Sequence, residues 1–395
     1  MEKALAPKKM FALEAMLFPQ NKYLCIKKDT DLTTNDFIAQ AYGPLPLEGS
    51  VTWKTPSNIA LVKYWGKRNP QLPENPSISF TLDNCHTLTT VAYEKKQVAD
   101  SGFSFDIFFE GVLNEAFKPK IEKFFERIQD YVSFVKDYHF TITSENSFPH
   151  SSGIASSASG MSALSMCLMS IEKELLPDME SAYFYQKGSF LARLGSGSAC
   201  RSVKGRLVVW GAHPEISESS DLYGVPFADE IAPVFFDYQD TILLVDKGEK
   251  QVSSTVGHEL MHGHPFAGKR FQQASENLSK LKAILKSGNL SEFVALVESE
   301  ALTLHAMMMT SHPYFILMKP NTLEILTKIW AFRAATGSQV CFTLDAGANV
   351  HLLYPKQELV NVRQFIKDEL LEFCQNNHAI HDEVGNGAQQ MDLSN

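Results

Sequence analysis

Between Phe140 and Ile171 the chain changes its hydrophobic period, and the change brackets a loop rich in proline, serine and glycine. Phe140 and Ile142 alternate with polar neighbours, the period-two mark of a half-buried strand. Met161, Leu164, Leu168 and Ile171 recur at helical spacing. Between them runs Pro149-His150-Ser151-Ser152-Gly153-Ile154-Ala155-Ser156-Ser157-Ala158. A strand that feeds a helix through such a loop commits the chain to a mixed fold. It also presents the first helical amides, and the positive end of the helix dipole, to an anion. The Ser156 and Ser157 hydroxyls suit either a helix cap or a phosphate–magnesium group. No Gly-Lys-Ser/Thr closes the loop, so it is not a Walker A motif, and an ordinary capped helix is the competing reading.

Elsewhere both periods are interspersed. Phe103, Phe105 and Ile107 alternate as in a strand, and 206–210 and 241–245 read as strands. The stretches 271–285 and 293–305 read as helices separated by Gly288 and Asn289. Val340, Phe342 and Leu344 alternate into Asp345-Ala346-Gly347, and Val350, Leu352 and Tyr354 alternate out, which predicts a strand, a glycine turn and a returning strand. Without the regular spacing of a doubly wound sheet, the class is α+β, with a lobe boundary near 230–240. Residues 1–34 read as an N-terminal extension, a short amphipathic helix or a disordered leader, and 385–395 as a polar, frayed end.

The 395 residues are enough for two lobes or one large domain. A net charge of −9 argues against a nucleic-acid partner, which needs a broad basic footprint. No apolar run approaches the roughly 18 residues of a membrane span. The six cysteines are scattered without a CxxC pair, as in a reduced, cytoplasmic protein.

Against that acidic background, Asn58-Ile59-Ala60-Leu61-Val62-Lys63-Tyr64-Trp65-Gly66-Lys67-Arg68 gathers three cations before a turn at Asn69-Pro70. Such a local reversal of charge suits an anionic ligand, and equally a solvated basic turn. Gly195-Ser196-Gly197-Ser198-Ala199-Cys200-Arg201 offers amides, hydroxyls and a bidentate fork, suited to a carboxylate or a phosphate, or else is a flexible loop. Asp345, at a strand end beside a glycine turn, is placed either to face a cleft or to cap the turn. His258-Glu259-Leu260-Met261-His262 matches the zinc motif HExxH. Gly257 before it and Gly263 and Pro265 after it leave barely one helical turn, so a zinc protease is a remote alternative to a polar surface segment.

Together these segments resemble the GHMP small-molecule kinase superfamily and, within it, the mevalonate diphosphate decarboxylases. The superfamily's PxxxGLxSSA loop stands here with isoleucine for leucine; NIAxxKYWGKR, GSGSACRS and DAGxN stand at 58–68, 195–202 and 345–349. Lys250-Gln251-Val252-Ser253-Ser254-Thr255 is similar to the family's second-lobe substrate loop. The resemblance runs from about residue 50 to 355 and implies an ATP-binding lobe over 35–235, a ferredoxin-like lobe over 236–390 and an active site in the cleft between them.

The implied activity is ATP- and Mg2+-dependent decarboxylation of (R)-mevalonate 5-diphosphate in isoprenoid biosynthesis, by a cytoplasmic homodimer. A mevalonate 3-kinase or a mevalonate 5-phosphate decarboxylase is the alternative within the superfamily. The resemblance implies that Asp345 accepts the C3 hydroxyl proton, Arg201 holds the substrate carboxylate and Lys63 is electrostatic. Asn58, Tyr64, Trp65, Gly66, Lys67, Ser196, Gly197, Ser198, Ala199, Cys200, Thr255 and, more weakly, Lys120 then bind substrate. Pro149, Ser152, Gly153, Ala155, Ser156 and Ser157 bind ATP, with Ser156 beside the magnesium. Pro76, His150 and Ala348 depart from the family pattern without removing any of these groups.

Overall fold

The computed structural model describes residues 32–97, 102–149, 154–248 and 254–392. Most of the expected N-terminal extension, with Ser152, Gly153 and 250–253, lies outside them. The first part contains β1 (Glu48–Val62), the short pair β2 (Lys67–Arg68) and β3 (Leu72–Pro73), and β4 (Ser77–Lys95). After these come β5 (Ser104–Phe109), β6 (Val112–Leu113), α1 (Lys118–Ile128) and β7 (Tyr138–Asn146). The helices α2 (Ser156–Leu175) and α3 (Ser181–Gly195) precede β8 (Leu207–Trp210) and β9 (Val225–Pro226). The second part holds β10 (Gln239–Leu243), α4 (Ser254–Glu259), α5 (Ala267–Ser287), α6 (Leu290–Met309), α7 (Pro320–Thr336), β11 (Cys341–Thr343), β12 (Val350–Tyr354), α8 (Leu359–Phe365), β13 (Ala379–Glu383) and β14 (Gln389–Met391).

The described strands form two main sheets. The first runs β14-β1-β4-β7-β5-β6, with β8 and β9 continuing from the inner end of β4; the second runs β11-β12-β10-β13. All pairs in both are antiparallel except β5 with β7. The last strand, β14, leaves the second sheet and pairs with β1 in the first.

From Cys85 to Tyr93, β4 alternates buried and half-buried residues, as a sheet covered on one face should. From Ser77 to Leu82 it is buried throughout, and there Phe80 packs against Tyr238 and Phe293 of the second part, with ring centroids at 6.1 and 6.5 Å. Pro56 is tolerated in β1 where the register slips between Pro56 and Asn58, since a bulge needs no amide there. Small residues bring α2 close to the sheet: Thr55 Oγ1 donates to Ser159 O at 2.6 Å, and the Thr87 and Ser159 hydroxyls lie 2.6 Å apart. The break between α5 and α6 falls at Gly288, whose φ of +73° ends one helix, and Asn289, whose side chain accepts from Glu292 N to start the next.

Candidate active site

A cavity of about 650 Å³ opens where β1, α2 and the 196–201 segment face α6 and the turn after β11. Lys63 follows the last residue of β1, so its peptide groups lie outside the sheet ladder and need other partners. Its N–H donates to Glu300 Oε2 at 2.9 Å, and its carbonyl accepts from Arg270 at 3.1 Å and Asn75 at 2.9 Å. Arg270 and Glu300 form a fully buried ion pair, with Asn277 donating to Glu300 Oε1 at 2.6 Å. Held this way, Lys63 Nζ donates to Asp345 Oδ1 at 2.9 Å. Burial pushes the Lys63 pKa below its ordinary 10.5, with Asp345 opposing the shift. His305 Nε2 donates to the Asp345 carbonyl at 3.1 Å, which fixes the backbone of the turn.

Arg201 is 3% exposed, in a 3-10 turn over Gly197–Ser202. Its Nε donates to Asn58 Oδ1 at 3.4 Å and one terminal nitrogen donates to Ser77 Oγ. No carboxylate lies within ion-pair distance of it among the described residues. Burial lowers its pKa, and Asp345 is one of the anions that oppose this. Asn58 also donates to Ser198 O and Ser202 Oγ, so it organises the arginine segment and does not line the cavity.

Tyr64 packs between Trp210 and His258, with ring centroids at 4.6 and 4.2 Å. Trp65 is buried in an apolar cluster with Met261, Leu304, Met307 and Met308. Gly66 has φ +98°, and a Cβ there would lie 3.0 Å from the Phe271 ring, so the turn after Trp65 requires glycine. Lys67 lines the cavity, its pKa lowered chiefly by burial. Arg68 does not follow it inward. It reaches Asp221 Oδ2 at 2.8 Å on the surface, which takes one of the three clustered cations away from the site.

At the other end of the cavity, Ala155 takes φ +46° and Ser156 and Ser157 open α2, with Ser157 Oγ 3.3 Å from Ser196 Oγ. Ser57 Oγ ties Ile154 O to β1 at 2.6 Å. An apolar arm lined by Ile107, Phe109, Phe117, Ile121, Met161 and Leu164 extends beyond these serines. Those residues come from β5, the approach to α1, α1 itself and α2, and the sequence carries no local mark that unites them.

The cavity thus brings together Lys63, Tyr64, Trp65, Lys67, Lys120, Ala155, Ser156, Ser157, Ser196, Gly197, Ser198, Arg201 and Asp345. Gly66, Ala199, Cys200 and Pro149 do not line it, and Thr255 lies in the first turn of α4. Ser152 and Gly153 fall outside the described residues. Sequence reasoning missed Glu300, Arg270, Asn75 and Ser77. The first two had a signal: each is a charge on an otherwise buried helix stripe, Arg270 with Ala274, Leu278 and Leu281, and Glu300 with Val297, Ala301 and Leu304.

The HExxH segment corrects another expectation. His258 is not on a polar surface; it is 9% exposed, and its Nδ1 accepts the Gly66 N–H at 3.0 Å. Because α4 ends at Glu259, His262 does not share a helix face with it. No group of three or more His, Cys, Asp or Glu side chains that could hold a metal occurs among the described residues.

Two family models match most of the chain. The Diphosphomevalonate decarboxylase-like N-terminal domain matches residues 55–221, and the Mevalonate 5-diphosphate decarboxylase C-terminal domain matches 241–393. The diphosphomevalonate decarboxylase of Ganoderma lucidum is 30% identical over 334 residues, 80% of each chain. A crystal structure of mevalonate diphosphate decarboxylase from Staphylococcus aureus has a TM-score of 0.74 at 28% identity, over 88% of this chain and 99% of that one. A structure in complex with MVAPP, AMPPCP and magnesium has a TM-score of 0.73 at 26% identity, over 87% of this chain and 99% of the other. In fold, in sequence and in the order of its cleft-forming segments, this chain belongs to the diphosphomevalonate decarboxylase family.

Proposed function

We infer that the cleft carries out the ATP-dependent decarboxylation of (R)-mevalonate 5-diphosphate to isopentenyl diphosphate, ADP, phosphate and CO2. The observation that carries this reading is a buried guanidinium, Arg201, with no carboxylate of its own among the described residues, lining the same cavity as the Lys63–Asp345 pair. An uncompensated buried cation calls for an anionic ligand. A base held by a lysine beside it calls for a hydroxyl to deprotonate.

The chemistry follows from a poor leaving group. A tertiary hydroxyl does not leave unaided, so its oxygen takes the γ-phosphoryl group of ATP and its proton passes to Asp345. The C3–O bond then breaks with loss of phosphate. The C1–C2 bond breaks with loss of CO2, and its electron pair becomes the C2–C3 double bond. Asp345, 28% exposed at its side chain, stays beside the developing positive charge at C3. Lys63 holds Asp345 in place and supplies positive charge at the transfer. Arg201 orients the substrate carboxylate through its fork. Tyr64, Lys67, Ser196 and Ser198 receive the 5-diphosphate, and Lys120 lies at the edge of the same cavity. The apolar arm suits a nucleobase, and the start of α2, with Ser156 and Ser157, suits the ATP phosphates. Magnesium, when bound, neutralises phosphate charge, and the hard oxygen donor of Ser156 suits it.

The reading includes a division into an ATP-binding part over 35–235 and a second part over 236–390, and a cytoplasmic homodimer. The five described cysteines are buried free thiols, as in a reducing compartment, and no helix of the described residues is long and apolar enough to cross a membrane. Sedimentation at micromolar concentration tests the dimer. The activity is tested by incubating the protein with ATP, magnesium and, separately, mevalonate, its 5-phosphate and its 5-diphosphate. CO2 and isopentenyl diphosphate are expected from the last alone. Turnover confined to the monophosphate refutes the substrate, and ADP without CO2 reassigns the chain as a 3-kinase.

A further inference from the structure

The HExxH segment leaves one histidine without a role in the reaction as derived, and that histidine lines the cleft. The His258 ring contacts Tyr64 and Trp65, with centroids at 4.2 and 4.6 Å. Gly257 makes this approach possible, since a Cβ there would lie 2.6 Å from the Trp65 ring. Nδ1 accepts the Gly66 N–H at 3.0 Å, so that nitrogen carries no proton and the neutral ring holds its proton on Nε2. Nε2–H has no partner among the described residues, on a side chain whose residue is 9% exposed.

We propose that His258 is a further substrate-positioning residue: Nδ1 holds the Gly66 peptide and thereby the Tyr64–Lys67 turn, while Nε2–H donates to the anionic diphosphate of the substrate. This rests on the function inferred above and deepens it by naming a contact for the diphosphate end.

His258 lines the cleft, so Nε2–H is open to a ligand there, and an anion accepts the stronger hydrogen bond. The ring stands among the residues assigned to the diphosphate, and Lys67 and Arg201 are its nearest cationic influences. Burial and those two cations lower its pKa to about 3, so the ring donates a hydrogen bond without adding a third charge to be desolvated.

The test separates the two nitrogens. His258→Phe keeps the ring contacts and removes both polar groups. His258→Asn keeps an acceptor near the Nδ1 position and loses the donor, while His258→Gln places an amide N–H near Nε2. Steady-state kinetics with mevalonate 5-diphosphate should show KM raised about 10-fold or more in the Phe and Asn variants, the loss expected for a hydrogen bond to a charged group. The same variants should keep kcat and the KM for ATP within about three-fold, and His258→Gln should recover most of the affinity.

Wild-type KM in His258→Phe, or equal losses in the Gln and Asn variants, overturns the proposal. So does a loss confined to kcat. If the wild-type protein does not turn over mevalonate 5-diphosphate, the functional reading fails first, and imidazole nitrogen spectra of the wild-type protein titrated with inorganic pyrophosphate decide the contact. A pyrophosphate-dependent shift at His258 Nε2 supports the donor, and an unmoved resonance overturns it.

Discussion

The ammonium of Lys63 meets Asp345 Oδ1 at 2.9 Å across 282 positions of sequence, and the two partners are unequally buried. The lysine side chain is 2% exposed and the aspartate 28%, so the cation is enclosed while the carboxylate keeps a face toward the cleft. A fixed cation behind an accessible carboxylate is the arrangement a general base needs. It holds one orientation and still reaches its substrate.

On the proposed mechanism, Asp345→Asn removes the base and keeps the shape. Turnover should fall by at least about 100-fold, the lower bound for a positioned base, while ATP binding measured by equilibrium titration is largely kept. Unchanged turnover takes Asp345 out of the mechanism.

Lys63 predicts how activity and stability depend on alkaline pH. Its folded pKa lies below 10.5, chiefly through burial. Between that lowered value and the unfolded one, the unfolded chain holds a proton that the folded chain has released. The stability contribution of this group therefore rises with pH in that window, while activity, which on the proposed mechanism needs the ammonium, falls. Lys63→Arg keeps its charge throughout the window, so its alkaline activity limb should move upward, as read from a kcat profile. A limb at the same pH in both proteins assigns it to another group.

Glu300 tests the support behind Lys63. Glu300→Gln leaves Arg270 buried without its anion and weakens the acceptor for the Lys63 N–H. Breaking a buried pair costs about 3–5 kcal/mol, so the urea midpoint should drop clearly. Asn277→Ala, which removes one donor from the same carboxylate, should cost less. Equal urea midpoints for wild type and Glu300→Gln would show that the pair does not stabilise the fold.

Gly197 lies where two rings converge. A Cβ there would stand 2.8 Å from the Trp210 ring and 3.1 Å from the Tyr64 hydroxyl oxygen, and Trp210 is fully buried. With Trp210 enclosed, the turn that carries Gly197 must shift toward Tyr64, so Gly197→Ala should raise KM for the diphosphate substrate several-fold more than KM for ATP. Equal effects on the two would place the disturbance elsewhere.

Acid stability follows from two neutral histidines. Burial lowers His258 to about 3 and His305 to about 4 from an ordinary 6.5. Between 6.5 and those values the unfolded chain binds protons that the folded chain does not, so stability falls as pH falls through this window. His305→Gln should flatten that slope in denaturant titrations at a series of pH values. An identical slope assigns the acid loss to other groups.

Local order was readable before any fold was known. Alternation at 103–107 and 140–142 found β5 and β7, helical spacing after Ala155 found α2, and Gly288-Asn289 divided α5 from α6. These are properties of residues two to four positions apart, and a single sequence displays them directly. The same holds for the reactive segments, whose unusual residue types mark them along the chain.

Convergence is another matter. Which of Lys63, Lys67 and Arg68 faces the cleft depends on what stands opposite each of them. Asp345 receives the first, the second lines the cavity, and Asp221 draws the third to the surface. Asn58 lies within a substrate-like motif yet supports Arg201, because β1 runs beneath that turn. Glu300, Arg270 and His258 join the site from helices more than 190 positions away in sequence from the Lys63–Gly66 turn they hold. Sequence spacing cannot carry these contacts, since they arise when two sheets with their helices close over buried, unsatisfied groups. The amino-acid order supplied the reactive side chains, and the desolvated meeting of distant segments chose which of them face one another.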